Sequence, residues 1–150
     1  MSTKSAEPPA RIVVVEDNAA DVYLLQRALQ QTRVNYVLDH LTDGEAAINF
    51  FLQRGKYQDA PRPDLLVLDL RLPKFDGGEV LQLLRERNVL QQIPVIVLTT
   101  SDAPLDRLAM EALHIDRYVV KSSDLDTFMH IGEIIKEVLA EKQNVRGTGA

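Results

Sequence analysis

Short continuous apolar runs alternate five times with stretches whose apolar residues recur at helical spacing, and this alternation constrains the fold more than any other feature of the chain. Runs such as Val13-Val14-Val15 and Leu65-Leu66-Val67-Leu68 have no polar face. That pattern suits strands buried on both sides, as in a parallel sheet covered by helices. A first strand is predicted over 11–16, then a helix of about 20–32 in which Val22, Leu25, Ala28 and Leu29 share one face. A second strand, 35–41, leads to a helix that Asp43 caps and that runs through Phe51 and Leu52. The loop 53–63, with Gly55, Pro61 and Pro63, delays the third strand, 64–69. Leu72 to Gly77 reads as a turn made by Pro73 and Gly77. A helix over 78–87 follows, with Val80, Leu81 and Leu84 apolar, and Pro94 starts the fourth strand.

The last third carries a short helix over 104–113, with Leu105, Leu108, Ala109 and Ala112 expected inward, and a fifth strand at 117–120. The closing helix, 124–141, has Ser123 or Asp124 as its cap. Leu125, Phe128, Ile131, Ile135, Val138 and Leu139 form its buried stripe. Segments 1–10 and 142–150 have no such pattern and are expected to be disordered, which leaves one domain at 11–141 and no second domain after it. Right-handed crossovers place helices on both faces of a parallel sheet, so the expected class is α/β: a doubly wound sheet of five parallel strands with five helices.

Composition narrows the rest. A chain of 150 residues, 45% hydrophobic, can bury a core without covalent staples, and with no cysteine it has neither disulfides nor zinc thiolates. No apolar stretch approaches the roughly 18 residues of a membrane span, and the start lacks a signal-peptide core, so a cytoplasmic protein without membrane contact is expected. The net charge of −5 and the lack of a basic run argue against nucleic acid as a partner.

Polar residues at the strand ends carry the functional signal. Glu16 and Asp17 end the first strand, Asp69 the third, Thr99 the fourth and Lys121 the fifth. In open parallel sheets the ligand crevice lies at the carboxyl ends of the strands. One acid there signifies little; five polar groups at one edge make a site. Neighbouring strands lie about 4.8 Å apart, so three carboxylates on two of them repel unless a hard divalent cation joins them, which points to Mg²⁺. His40, His114 and His130 sit on separate elements without ligand spacing and read as surface or packing residues.

The residues that form this site also carry a resemblance. Val15-Glu16-Asp17-Asn18, Leu-Asp-Leu-Arg-Leu-Pro-Lys-Phe-Asp-Gly at 68–77, Leu98-Thr99-Thr100-Ser101 and Tyr118-Val119-Val120-Lys121 resemble the receiver domains of two-component response regulators. The match covers about 11–141, and the 68–77 and 98–101 segments with the long loop before the third strand look most like stand-alone regulators associated with bacterial phytochromes. The resemblance implies the chemotaxis-type, flavodoxin-like receiver fold with strand order 2-1-3-4-5. It implies that Asp69 accepts a phosphoryl group from a sensor histidine kinase, a bacterial phytochrome being the candidate. Glu16, Asp17, Asp69 and the backbone carbonyl of Arg71 would hold Mg²⁺, while Lys121 neutralises a phosphoryl oxygen and pairs with Asp69 in the empty site. Thr99 would donate to the phosphoryl group, and its movement would let Tyr118 turn inward. The surface of the fourth helix, fifth strand and fifth helix would then change, with a homodimer through that face as one outcome. Such a protein is a phosphoacceptor with self-phosphorylation and autodephosphorylation chemistry rather than an enzyme proper.

Two positions depart from the family pattern. Ser122 stands where a proline usually follows the lysine, and Arg71 brings a long cation to the position two beyond the acceptor. Two rival readings are a pseudo-receiver that binds without being phosphorylated and a phosphatase-type hydrolase with an aspartate nucleophile. The first usually lacks an acid or the lysine, all present here; the second places an acid where this chain has Arg71, which cannot shuttle a proton.

Overall fold

The structure, a computed structural model, describes residues 8–148, with side chains described through Gln143. Five parallel strands form one sheet in the order β2-β1-β3-β4-β5. They are β1 (Ala10–Val15), β2 (Tyr36–Leu41), β3 (Leu65–Leu68), β4 (Val95–Thr99) and β5 (Arg117–Val120). The helices between and after them are α1 (Ala19–Thr32), α2 (Gly44–Phe51), α3 (Gly77–Glu86), α4 (Pro104–Glu111) and α5 (Leu125–Thr148). The class and strand number read from the chain, and the strand order that the resemblance implies, are thus those observed.

Strand position follows from residue type. The three central strands are buried along almost their whole length, whereas β2 and β5 mix buried with exposed positions as edge strands do. Alternation then sorts the side chains to two cores. Val13, Val15, Leu66, Leu68, Val95 and Val97 face α2 and α3. Ile12, Val14, Leu65, Val67, Ile96 and Leu98 face α1 and α5. Each large aliphatic chain so buried contributes about 1.5–3 kcal/mol relative to exposure.

Register carries the strand ends to one line. Val15 pairs with Leu68, and the Asp69 N–H donates to the Val15 carbonyl at 3.1 Å, so the residues after β1 and β3 emerge together. Thr99 pairs with Val120, and the Lys121 N–H donates to the Thr99 carbonyl at 2.7 Å. The helices start there under local caps. Asn18 Oδ1 accepts from the N–H groups of Ala20 and Asp21, and Asp43 Oδ1 from that of Ala46. Asp76 and Glu79 form a reciprocal capping box at the start of α3.

Several expectations are corrected. β1 starts at Ala10, inside the segment expected to be disordered, where the Ala10 N–H donates to the Asn35 carbonyl; the remainder of that segment up to Glu7 lies outside the described residues. α5 continues to Thr148 instead of ending at Glu141, because extending a docked helix adds a backbone bond per residue and no glycine or proline lies between Glu141 and Gly147. Gly149 and Ala150 of the expected tail lie outside the described residues. On α4, Leu105, Leu108, Ala109 and Ala112 face outward, with Leu105 79% and Leu108 61% exposed, while Met110 is buried and Asp106 half-buried. A short amphipathic pattern defines two faces but not which one the sheet takes. Leu125, 57% exposed, likewise leaves the expected stripe of α5; Phe128, Ile131, Ile135, Val138 and Leu139 keep it.

Gly77 is not a turn glycine. It opens α3, its N–H donates to the Leu70 carbonyl at 2.9 Å, and a Cβ added there would lie 2.2 Å from the Asp69 carbonyl oxygen. Glycine lets α3 start directly behind the end of β3. Gly77→Ala is therefore expected to destabilise the fold by about 1–3 kcal/mol through overpacking, read as a lower midpoint in urea unfolding; an unchanged midpoint would show that the close approach is not required.

Candidate functional site

Glu16, Asp17, Asp69 and Lys121 converge at the carboxyl edge of the sheet, beside the point where the chain crosses from β1 to either side. Glu16 and Asp69 are buried and Asp17 is exposed, and one carboxylate oxygen of each lies within 4.8 Å of the others. Oxygen donors so grouped, with one open to solvent, suit a hard divalent cation. Into this group β5 delivers the Lys121 side chain, 8% exposed. Its Nζ donates to Glu16 Oε1 at 2.6 Å, Asp21 Oδ2 at 2.8 Å and Asp69 Oδ2 at 3.0 Å. The expected Lys121–Asp69 pair is present, but it is one bond of three.

Asp21 was not singled out in the sequence, where it reads as an ordinary acid in the first turn of a helix. Its position one turn past the Asn18 cap, on a helix that begins at the carboxyl end of β1, was the available signal. The other oxygens of the cluster are also occupied. Glu16 Oε2 accepts from the Asn18 N–H at 3.1 Å, and Asp69 Oδ1 accepts from the Arg71 N–H at 3.2 Å. His40, otherwise a surface residue of β2, sets its Nε2 2.6 Å from the Glu16 carbonyl and so steadies the acidic end of β1.

Electrostatics follow from crowding. Burial, with Asp69's charge added, raises the Glu16 carboxyl to about 7 against the pull of the Lys121 ammonium. Burial also penalises the Lys121 ammonium, but its bonds to Asp21 and Glu16 and the charge of Asp69 outweigh that penalty and raise it above the usual lysine range. The surroundings therefore favour the charged form of the ammonium and the neutral form of Glu16.

Thr99 is fully buried at the end of β4, and its Oγ1 accepts from the Ser101 N–H at 3.3 Å. Ser101, also buried, joins this strand end to α4, since its hydroxyl bonds the Asp106 carboxylate. The Tyr118 hydroxyl donates to the Ser101 carbonyl at 3.0 Å, with the Arg107 guanidinium 5.4 Å from the ring centre. Tyr118 is thus inward already, contrary to the expectation that it turns in only after Thr99 moves. Its ring belongs to the same buried cluster as Met110 of α4. Arg71 is exposed and lines a groove with Leu72, Asp76, Asp106 and Met110.

A doubly wound 2-1-3-4-5 sheet with an acidic, lysine-bearing cluster at its carboxyl edge defines a receiver-type fold. Residues 12–132 match the response regulator receiver domain. The chain is 45% identical over 125 residues to response regulator Rcp1 of Synechocystis sp., covering 83% of this chain and 84% of that protein. Among solved structures it is similar to the phosphorylated cyanobacterial phytochrome response regulator RcpA, at TM-score 0.82 and 39% identity, covering 89% of this chain and 95% of that one. It is also similar to the Mn²⁺-bound form of Rcp1, at TM-score 0.79 and 43% identity, covering 84% and 91%. The chain belongs to the response regulator receiver domain family and serves as a response regulator of two-component signalling. Among the described residues, no helix is long and apolar enough to cross a membrane.

An acid whose folded pKa lies above its unfolded value binds more protons in the native state, so Glu16 removes stability as pH rises from 4.5 to about 7. In the cation-free protein Glu16→Gln should therefore gain on the wild type between pH of about 5 and about 8, by on the order of 1–3 kcal/mol. Urea unfolding in chelator at several pH values measures this, and a difference that does not vary with pH would contradict it.

Proposed function

We propose that Asp69 accepts a phosphoryl group from the phosphohistidine of a sensor histidine kinase, in a site that takes Mg²⁺, and that the acyl phosphate then changes partner binding or self-association. One observation carries this reading: Lys121 Nζ stands 3.0 Å from Asp69 Oδ2 in a group of acids whose oxygens can share a cation. In the transfer an Asp69 oxygen forms a bond to phosphorus as the bond from phosphorus to the imidazole nitrogen breaks, and that nitrogen keeps the electron pair. Glu16, Asp17, Asp69 and the Arg71 carbonyl are the groups to hold Mg²⁺, all of them hard oxygen donors. When bound, it supplies positive charge against the phosphoryl oxygens. Lys121 is close enough to pass from the Asp69 carboxylate to a phosphoryl oxygen, and the Thr99 hydroxyl is the donor for another. Acetyl phosphate offers an equally good leaving group, so self-phosphorylation follows from the same arrangement, as does loss of the group to water.

The full set of acids and the lysine favour this over a binding module without phosphorylation. Arg71, whose guanidinium cannot act as a general acid, disfavours a phosphatase-type hydrolase. Three of the similar structures are named as response regulators of a cyanobacterial phytochrome or of bacteriophytochromes, which supports a bacterial phytochrome as the kinase and the cytoplasm as the compartment. The net charge of −5 supports a protein rather than a nucleic acid as the receiver of the signal. The outward residues Leu105 and Leu108 of α4, with Val120 of β5 and Leu125 of α5, give an apolar face suited to a second copy. Ser101 and Tyr118 link Thr99 to that face through the bonds given above.

Asp69→Asn should abolish labelling by acetyl phosphate in Mg²⁺, because the amide is neither a nucleophile nor an anionic ligand; label persisting at wild-type level would refute the assignment of Asp69. Beryllofluoride, which mimics the phosphoryl group, should tighten self-association by about 5–150-fold, the usual range for coupled sites. Sedimentation reads the shift. Leu108→Glu should remove it while leaving phosphorylation intact, and a mass that stays constant in beryllofluoride would exclude a phosphate-driven dimer.

A further inference from the structure

The Lys121 ammonium has three N–H donors and three carboxylates to receive them, each from a different stretch of chain: Glu16 after β1, Asp21 on α1 and Asp69 after β3. Two of these acids have a second duty. Glu16 and Asp69 belong with Asp17 to the group that can share a cation, and Asp21 does not. Any cation that draws on Glu16 and Asp69 therefore competes with the ammonium for two of its three partners. The third stays available. Asp21 is also well anchored, since its own N–H bonds Asn18 Oδ1 at 3.3 Å and α1 packs its Val22, Leu25 and Leu29 against α5 and the sheet.

We propose that Asp21 is a positioning residue for Lys121: it holds the ammonium over the end of β3 while the charge on Asp69 changes. This rests on Asp69 being the phosphoacceptor. A lysine side chain has four rotatable bonds, and an ammonium left with only shared partners would swing out of the site. Asp21 prevents that by an ion pair that neither the cation nor the phosphoryl group consumes. The alternative is a local role, in which Asp21 only complements the positive end of the α1 dipole. The two differ in whether the effect of Asp21 passes through Lys121.

The experiment has two arms. In the first, with chelator and no cation, limiting acetic anhydride labels the amines and peptide mass spectrometry reads Lys121 against exposed Lys136 in the same sample. Asp21→Asn should raise the relative reactivity of Lys121 about tenfold and Asp21→Glu should restore most of the protection, as expected when a charged partner is lost and regained. In the second, with Mg²⁺, the rate of acetyl phosphate labelling should fall about 10–100-fold in Asp21→Asn, the scale of a misplaced catalytic group. In a Lys121→Met background the same substitution should change nothing further. Unchanged Lys121 reactivity in Asp21→Asn overturns the proposal, and so does an equal further loss in the Lys121→Met background. Failure of the phosphoacceptor reading looks different: the wild type takes no label at Asp69, while the first arm still decides whether Asp21 holds the ammonium.

Discussion

A buried ammonium surrounded by more carboxylates than it can neutralise is the interaction on which the rest of the structure depends. Lys121 bonds Glu16, Asp21 and Asp69, and Asp17 lies beside them, so four acids face one cation. Taking charges out of water is costly, and such a cluster holds together only if each polar atom is satisfied. Among the described residues every buried side-chain nitrogen and oxygen has a partner. Burial, with the charge of Asp69 added, raises the Glu16 carboxyl and favours its neutral form. The site is thus stable as it stands yet poised to accept positive charge, which is what a switch driven by a cation and a phosphoryl group requires.

The scaffold exists to keep that cluster in register. Parallel strands buried on both faces cannot slip by one residue without turning their apolar side chains inside out, so Val15–Leu68 and Thr99–Val120 pairing delivers the strand ends to fixed places. Caps at Asn18 and Asp76 start α1 and α3 from the same edge, and Gly77 allows α3 to begin against the backbone of Asp69 itself. The bottom of the sheet bears no comparable demand. There α5 runs on to Thr148 without altering the site.

Away from the cluster, Thr99, Ser101, Asp106 and Tyr118 form a chain of contacts from the end of β4 to the flank of α4. α4 is held by little else: its Met110 is buried, but its leucines face solvent. An element with few buried contacts is the one a modest change of free energy can shift, and the proposed switching surface includes this helix.

How much of this was legible depends on which residues are considered. Apolar runs such as Leu65 to Leu68 suit strands buried on both faces, and Glu16, Asp17, Asp69, Thr99 and Lys121 each stand at the end of such a run, so the sheet and the strand ends that form the candidate site could be read from the chain. The outward turn of Leu105 and Leu108, the exposure of Leu125 and the inward Tyr118 could not, because a helix pattern names a face without naming its neighbour. Asp21 is the sharpest case. In the sequence it is one acid in a helical first turn, 100 residues from Lys121, and only the fold, which brings the start of α1 to the residue that follows β5, makes it the third partner of the ammonium. Local propensity and periodicity determine elements and their faces; which charges meet is decided by distances in space, which folding alone sets.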